Sequence, residues 1–226
     1  QVAIVWGLGL ATAIFLTRKL SGAHLNPAMT LAFAVFTEFP AKRVPAYLAA
    51  QFLGAFLAAT AVFGLFGGGI EAFEIANGIE RGVAGSEASA MIFGEFYPNP
   101  GGESLNEEVR AKVSHGRACF AEFLGTALLA LAIFGFTAKE NSAGPGAMVP
   151  FAIGLALTAL ICIFAPLTMA GFNPARDLAP RVFSALAGWK NIPFSTNGIG
   201  WLTVYVTSPC LGALAGGFVS RRLYKR

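Results

Sequence analysis

Asn26-Pro27-Ala28 and Asn173-Pro174-Ala175 are one tripeptide occurring twice, 147 positions apart, and the second copy runs straight into Arg176 and Asp177. An amide side chain presents N–H donors and a carbonyl acceptor without charge, so two such amides suit hydroxylated, neutral solutes. Arg176 adds a fork of fixed donors and a permanent positive charge. The remaining reactive residue types do not assemble into a site. Cys119, Cys162 and Cys210 fall singly inside apolar runs, and His24 has no second His or carboxylate at ligand spacing, so neither a metal nor a cofactor is expected. Glu122 stands inside the apolar stretch "CFAEFLGTALLALAIF", where an ionised group facing lipid is costly and should turn inward. No covalent chemistry, and hence no enzyme, is expected.

The elements that must position these residues lie in a membrane. The chain of 226 residues is 55% hydrophobic, with mean hydropathy +0.63 and only 12% charged residues, against about 25% in a soluble domain. Its net charge of +4 is scattered over short junctions, which argues against a nucleic-acid partner. Gln1 begins inside an apolar run with no charged leader before it. A hydrocarbon core of about 30 Å needs roughly 20 helical residues, and five segments qualify: Val2 to Thr17, Val44 to Phe66, Ala118 to Phe136, Ala147 to Met169 and Trp201 to Ser220. Asn26 to Phe36 and Asn173 to Leu186 reach only about 16 to 20 Å at 1.5 Å per residue and cannot cross alone. Residues 67–117 are rich in Gly, Pro and Glu, hold eight of the twelve acids, and are expected to form a long external loop. Arg18, Lys19, Lys42, Arg43, Lys139 and the closing "RRLYKR" occupy alternate junctions, which places them, and the carboxyl terminus, on the cytoplasmic side.

Laying residues 24–36 over 171–183 matches seven of thirteen positions, and "FLGAF" after the first copy corresponds to "CLGAL" after the second. Each copy is span, half-span, span. Three spans separate the copies, so they insert with opposite orientation and form an inverted repeat. The expected division is a first repeat at 1–66, the external loop at 67–117, a second repeat at 118–220 and a tail at 221–226 within one domain. An additional span carrying Glu122 precedes the second copy, so the first is expected to have a counterpart upstream of Gln1. The expected fold is therefore an all-α membrane protein, an inverted repeat with two re-entrant half-helices and its first transmembrane helix missing.

Asn is a preferred N-cap and Pro a preferred first helical residue, so each Asn-Pro-Ala should start a helix. Inserted from opposite faces, the two half-helices meet start to start at mid-membrane. Non-helical backbone at that depth is tolerated where it is buried in protein or lines a wet cavity. The cavity alternative gives the carbonyls of Gly22, Ala23, His24 and Leu25, and of Thr168, Met169, Ala170 and Gly171, a role as acceptor ladders, with Asn26 and Asn173 donating at the midpoint. The two helix starts, each equivalent to about half a positive charge, would disfavour cations. Gly7, Gly9, Gly54, Gly125, Gly154 and Gly212 are expected to allow close helix contact.

The paired "SGAHLNPA" and "GFNPARD" resemble the aquaporin and aquaglyceroporin family, over essentially the whole chain. The resemblance implies a passive, homotetrameric channel of the plasma membrane that excludes protons. It places the narrowest ring at Trp6, Ile161, Ala170 and Arg176, with Glu122 and Asp177 in support. Glu122 would accept bonds from the backbone leading into a half-helix; a proton-carrying role is the rival. Arg176 paired structurally with Asp177, and Trp6 as an interfacial anchor, are the alternatives for those residues. His24 would brace its loop. Asp177, Arg181 and the long loop resemble the glycerol-facilitator branch, whereas Trp-Ile-Ala-Arg is closer to the plant nodulin-26-like pattern. Glycerol and other small uncharged solutes with water are the expected cargo, with urea and metalloid acids as further candidates. A metalloid-acid or water channel of the same fold, a proton-coupled transporter and a non-conducting scaffold remain the alternatives.

Overall fold

The computed structural model describes residues 1–224; Lys225 and Arg226 of the closing basic run lie outside the described residues. Five helices are long and apolar enough to cross a membrane. They are α1 (Val2–Ser21), α3 (Val44–Ala76), α4 (His115–Thr137), α5 (Val149–Thr168) and α7 (Gly200–Tyr224, with a wide π-type turn at Thr203–Thr207). The two half-length helices are α2 (Pro27–Phe36) and α6 (Pro174–Ser184).

Both half-helices begin where local chemistry places them. The Asn26 side-chain oxygen accepts from the Ala28 N–H at 2.8 Å, and that of Asn173 accepts from the Ala175 and Arg176 N–H groups at 3.1 and 3.3 Å. Pro at the first helical position forgoes a bond that has no intrahelical partner there. The backbone leading into each start cannot be helical. Gly22, Ala23 and Leu25 in one strand, and Met169, Ala170 and Phe172 in the other, adopt left-handed φ between 51° and 74°, at a cost of about 1–2 kcal/mol for each non-glycine residue.

Close helix contact occurs at a subset of the expected glycines. A Cβ on Gly7 would strike the Gly154 carbonyl, which brings α1 onto α5; one on Gly212 would strike the Phe123 carbonyl, which brings α7 onto α4; and Gly125 lies under the Phe172 ring. Gly9 and Gly54 have no neighbour within 4 Å and so do not act as contact points in this structure.

Two expectations need correction. α3 runs through Gly67-Gly68-Gly69 to Ala76 instead of ending at Phe66. Burial of Ile70 and Glu74 on the inner face of the extra turns outweighs the poor helix propensity of glycine. The loop after it packs inward along part of its length. Ser86 to Ala90, Phe93 and Phe96 are buried, and Phe93 and Phe96 share a core with Phe183 and Trp189. Glu74 ties this cap down, taking the Arg81 guanidinium at 2.6 Å and the Ser89 hydroxyl at 2.7 Å.

Candidate permeation site

α2 and α6 meet at their starts, and each tip is fastened to the strand leading into the other. Asn26 Nδ2 donates to the Phe172 carbonyl at 2.8 Å, and Asn173 Nδ2 donates to the Leu25 carbonyl at 2.9 Å. An amide nitrogen carries two N–H groups, so one remains on each Asn for another acceptor. Both residues border an open cavity of about 1730 Å³, lined also by Trp6, Ile161, Ala170 and Arg176 and by residues of both strands. A second opening of about 710 Å³, lined largely by α3, also reaches Asn173 and Arg176 and shares Trp6, His24 and Leu25 with the first.

The four positions expected to form a ring all border this cavity. The Arg176 guanidinium lies 4.5 Å from the centre of the Trp6 ring, a cation–π arrangement. Ile161 and Ala170 stand in one apolar cluster with Phe164 and Phe172. Trp6 is thus at the cavity wall, although 41% of it stays exposed.

One residue of the expected carbonyl ladder does not reach the cavity. Gly22 to Leu25 and Met169 to Gly171 border the cavity, whereas Thr168 is fully buried as the last residue of α5. Its hydroxyl donates to Glu122 at 2.6 Å and its carbonyl accepts from the Tyr205 hydroxyl at 3.3 Å, so both polar groups face the protein.

Glu122 is wholly buried and accepts from three donors where α5 gives way to the strand before α6: the Thr168 hydroxyl, the Gly171 N–H at 2.9 Å and the Phe172 N–H at 2.7 Å. The strand before α2 receives no carboxylate among the described residues; there the Tyr47 hydroxyl donates to the Ser21 carbonyl at 2.8 Å. His24 is packed among Phe33, Phe39 and Tyr47, with ring centres 4.5 to 4.7 Å apart, and its Nδ1 lies 3.2 Å from the Thr30 hydroxyl.

Asp177 is not the partner of Arg176. Its two oxygens take the Arg181 guanidinium at 2.7 and 3.0 Å, and Oδ1 also accepts the Glu95 N–H at 2.7 Å. The i, i+4 spacing on α6 makes Arg181 the nearer base, since residues four apart share a helix face whereas adjacent ones diverge. Arg176 instead meets Glu95, contributed by the cap after α3. Among eight acids in one loop, Glu95 carries one usable signal: it is the only charge between Ala88 and Gly102, in a stretch otherwise apolar, aromatic or small.

Comparisons with known proteins agree on the family. The family model described as "Major intrinsic protein" matches residues 1–220. A glycerol uptake facilitator protein of Shigella flexneri is 38% identical over the whole chain and 76% of its own length. One from Pseudomonas aeruginosa is 37% identical over 96% of the chain and 75% of its own length. A propanediol uptake facilitator of Salmonella typhimurium is 35% identical over 98% of the chain and 80% of its own length. Among solved structures, the aquaglyceroporin from Plasmodium falciparum superimposes with a TM-score of 0.77 at 27% identity, covering 96% of this chain and 79% of that one. Five membrane-crossing helices, two half-helices joined at their Asn tips and a family match along nearly the full sequence lead to one conclusion: the chain belongs to the major intrinsic protein family.

Proposed function

We propose that the protein is a passive channel for glycerol and similar small uncharged solutes, together with water, working as a homotetramer in the plasma membrane with its carboxyl terminus cytoplasmic. The observation that carries this reading is the cross-fastening of the Asn26 and Asn173 amides beside the cavity. Each spends one N–H on the opposite strand and keeps one for a permeating hydroxyl. Above and below, the carbonyls of Gly22 to Leu25 and of Met169 to Gly171 supply acceptors in sequence. A polyol can thus exchange its hydration shell for fixed partners without net charge being required of it. Trp6, Ile161 and Ala170 offer an apolar wall for the carbon backbone, and Arg176 donors for its hydroxyls. The names of the relatives, for glycerol and for propanediol, describe small molecules of this chemistry. Arg18, Lys19, Arg43 and Arg221 at alternate helix ends support the orientation. The broad exposed apolar faces of α1 and α3 suit contact with lipid or neighbouring subunits.

The test is osmotic swelling of proteoliposomes in glycerol, compared with shrinkage in sucrose. A channel gives downhill glycerol flux that ignores a proton gradient. Uphill uptake that collapses with the gradient would mark a transporter, and no flux in either assay a scaffold. Ala170→Phe should slow polyols longer than glycerol by roughly tenfold, a barrier increment near 1.4 kcal/mol, while changing water much less. Unchanged relative permeabilities in a folded variant would remove Ala170 from the ring.

A further inference from the structure

Glu95 is the buried acid that the channel reading leaves without a task. Its side chain is fully buried, Oε1 pairs with Arg176 Nη1, and Oε2 has no hydrogen-bond partner among the described residues. Its charged and titratable neighbours among the described residues can be named. α6 presents Arg176, Asp177 and Arg181; α4 presents Glu122; α7 presents Tyr205. A Cβ placed on Gly171 would lie 3.4 Å from Glu122 Oε2 and 3.5 Å from Glu95 Cγ, so the two carboxyl groups flank one residue of the ladder. Asp177 is occupied by Arg181, and Glu122 by its three donors. Arg176 therefore has Glu95 as its one ionic partner among the described residues, with the Trp6 ring centre 4.5 Å from its guanidinium.

We propose that Glu95 is the positioning residue of the filter: it pins the Arg176 guanidinium to the cavity wall beside Trp6 and, when ionised, cancels its charge. The mouth then offers directed N–H donors to a hydroxylated solute while presenting no net charge that would trap an anion. An unpinned guanidinium on a flexible stem would swing across the cavity and obstruct it. The geometry makes Glu95 a second carboxylate anchor, holding a side chain as Glu122 holds a backbone strand. Burial pushes the Glu95 carboxyl up to about 8, against the opposing pull of Arg176. The clamp is therefore ionised above that pH and weakens as the carboxyl takes up a proton below it.

The inference rests on the channel reading, and the experiment separates the two. Phenylglyoxal modification of Arg176 is followed by mass spectrometry in the purified full chain, normalised to exposed Arg43 in the same molecule, alongside glycerol flux in proteoliposomes. Glu95→Gln should raise the normalised labelling of Arg176 and lower glycerol flux, each by about tenfold, the scale of one lost charge-assisted hydrogen bond. In the wild type, labelling should rise as pH is lowered from about 9 to about 6, while Glu95→Gln should change much less, because its amide does not titrate. Glu95→Asp, which keeps the charge, should restore most of the protection; it also serves if the Gln variant does not fold. Equal labelling of Arg176 in wild type and Glu95→Gln, or a wild type insensitive to pH, overturns the proposal. Predicted labelling with no glycerol flux in the wild type would instead leave the clamp standing and sink the channel reading.

Discussion

Arg181→Leu is expected to destabilise the folded protein by about 3–5 kcal/mol, because it strands a buried carboxylate. Arg181 is 1% exposed and Asp177 wholly buried, so water cannot compensate either once the other is gone. The guanidinium also donates to the carbonyls of Glu95 and Pro193, which ties the cap after α3 and the segment after α6 to one side chain. Phe96 and Tyr205 lie against its faces at 5.2 and 5.4 Å. Thermal unfolding in detergent would measure the loss. The double variant Asp177→Leu/Arg181→Leu should recover part of it, since removing both charges leaves no orphan ion. A single variant as stable as the wild type would show that the pair is solvated and the cap held by other means.

Glu122→Gln should abolish most flux, with a fall on the order of a hundredfold, equivalent to about 2.7 kcal/mol in the barrier. The carboxylate offers only acceptors, and three donors converge on it. Gln replaces one oxygen with an NH₂ group, which must then face a donor at 2.6 to 2.9 Å. Met169, Ala170 and Phe172 are held in left-handed conformations. Without the anchor they are expected to relax, and the ladder would lose its aim. The same variant separates the two roles open to Glu122. A proton carrier made neutral would still allow downhill exchange of solute, whereas a broken strand would not. Stopped-flow swelling in glycerol would distinguish these outcomes; flux equal to wild type would detach Glu122 from the path altogether.

The parts of the site legible in the chain were those encoded by neighbouring residues. Asn26-Pro27 and Asn173-Pro174 are caps, and a cap is decided within three positions by a side chain reaching its own backbone. Glu122 was readable because a lone acid in a spanning helix has few affordable places to go. Thr168 was misplaced in the ladder because counting back from Asn173 ignores where α5 ends: the helix continues through Thr168 and turns both of its polar groups inward. Glycines 9 and 54 carried the same local pattern as glycines 7 and 212, yet only the latter pair face a neighbouring backbone.

The amino-acid sequence by itself determined the five apolar crossings, the two half-length helices and the inverted repeat, since hydropathy, capping and periodicity act over short stretches of chain. The tertiary structure alone decided that Arg176 pairs with Glu95 and Asp177 with Arg181, and that residues 86–100 fold into the protein as a buried cap. Opposite charges choose partners by distance and burial in the folded state, and a connecting segment can close in many ways without altering any pattern along the chain.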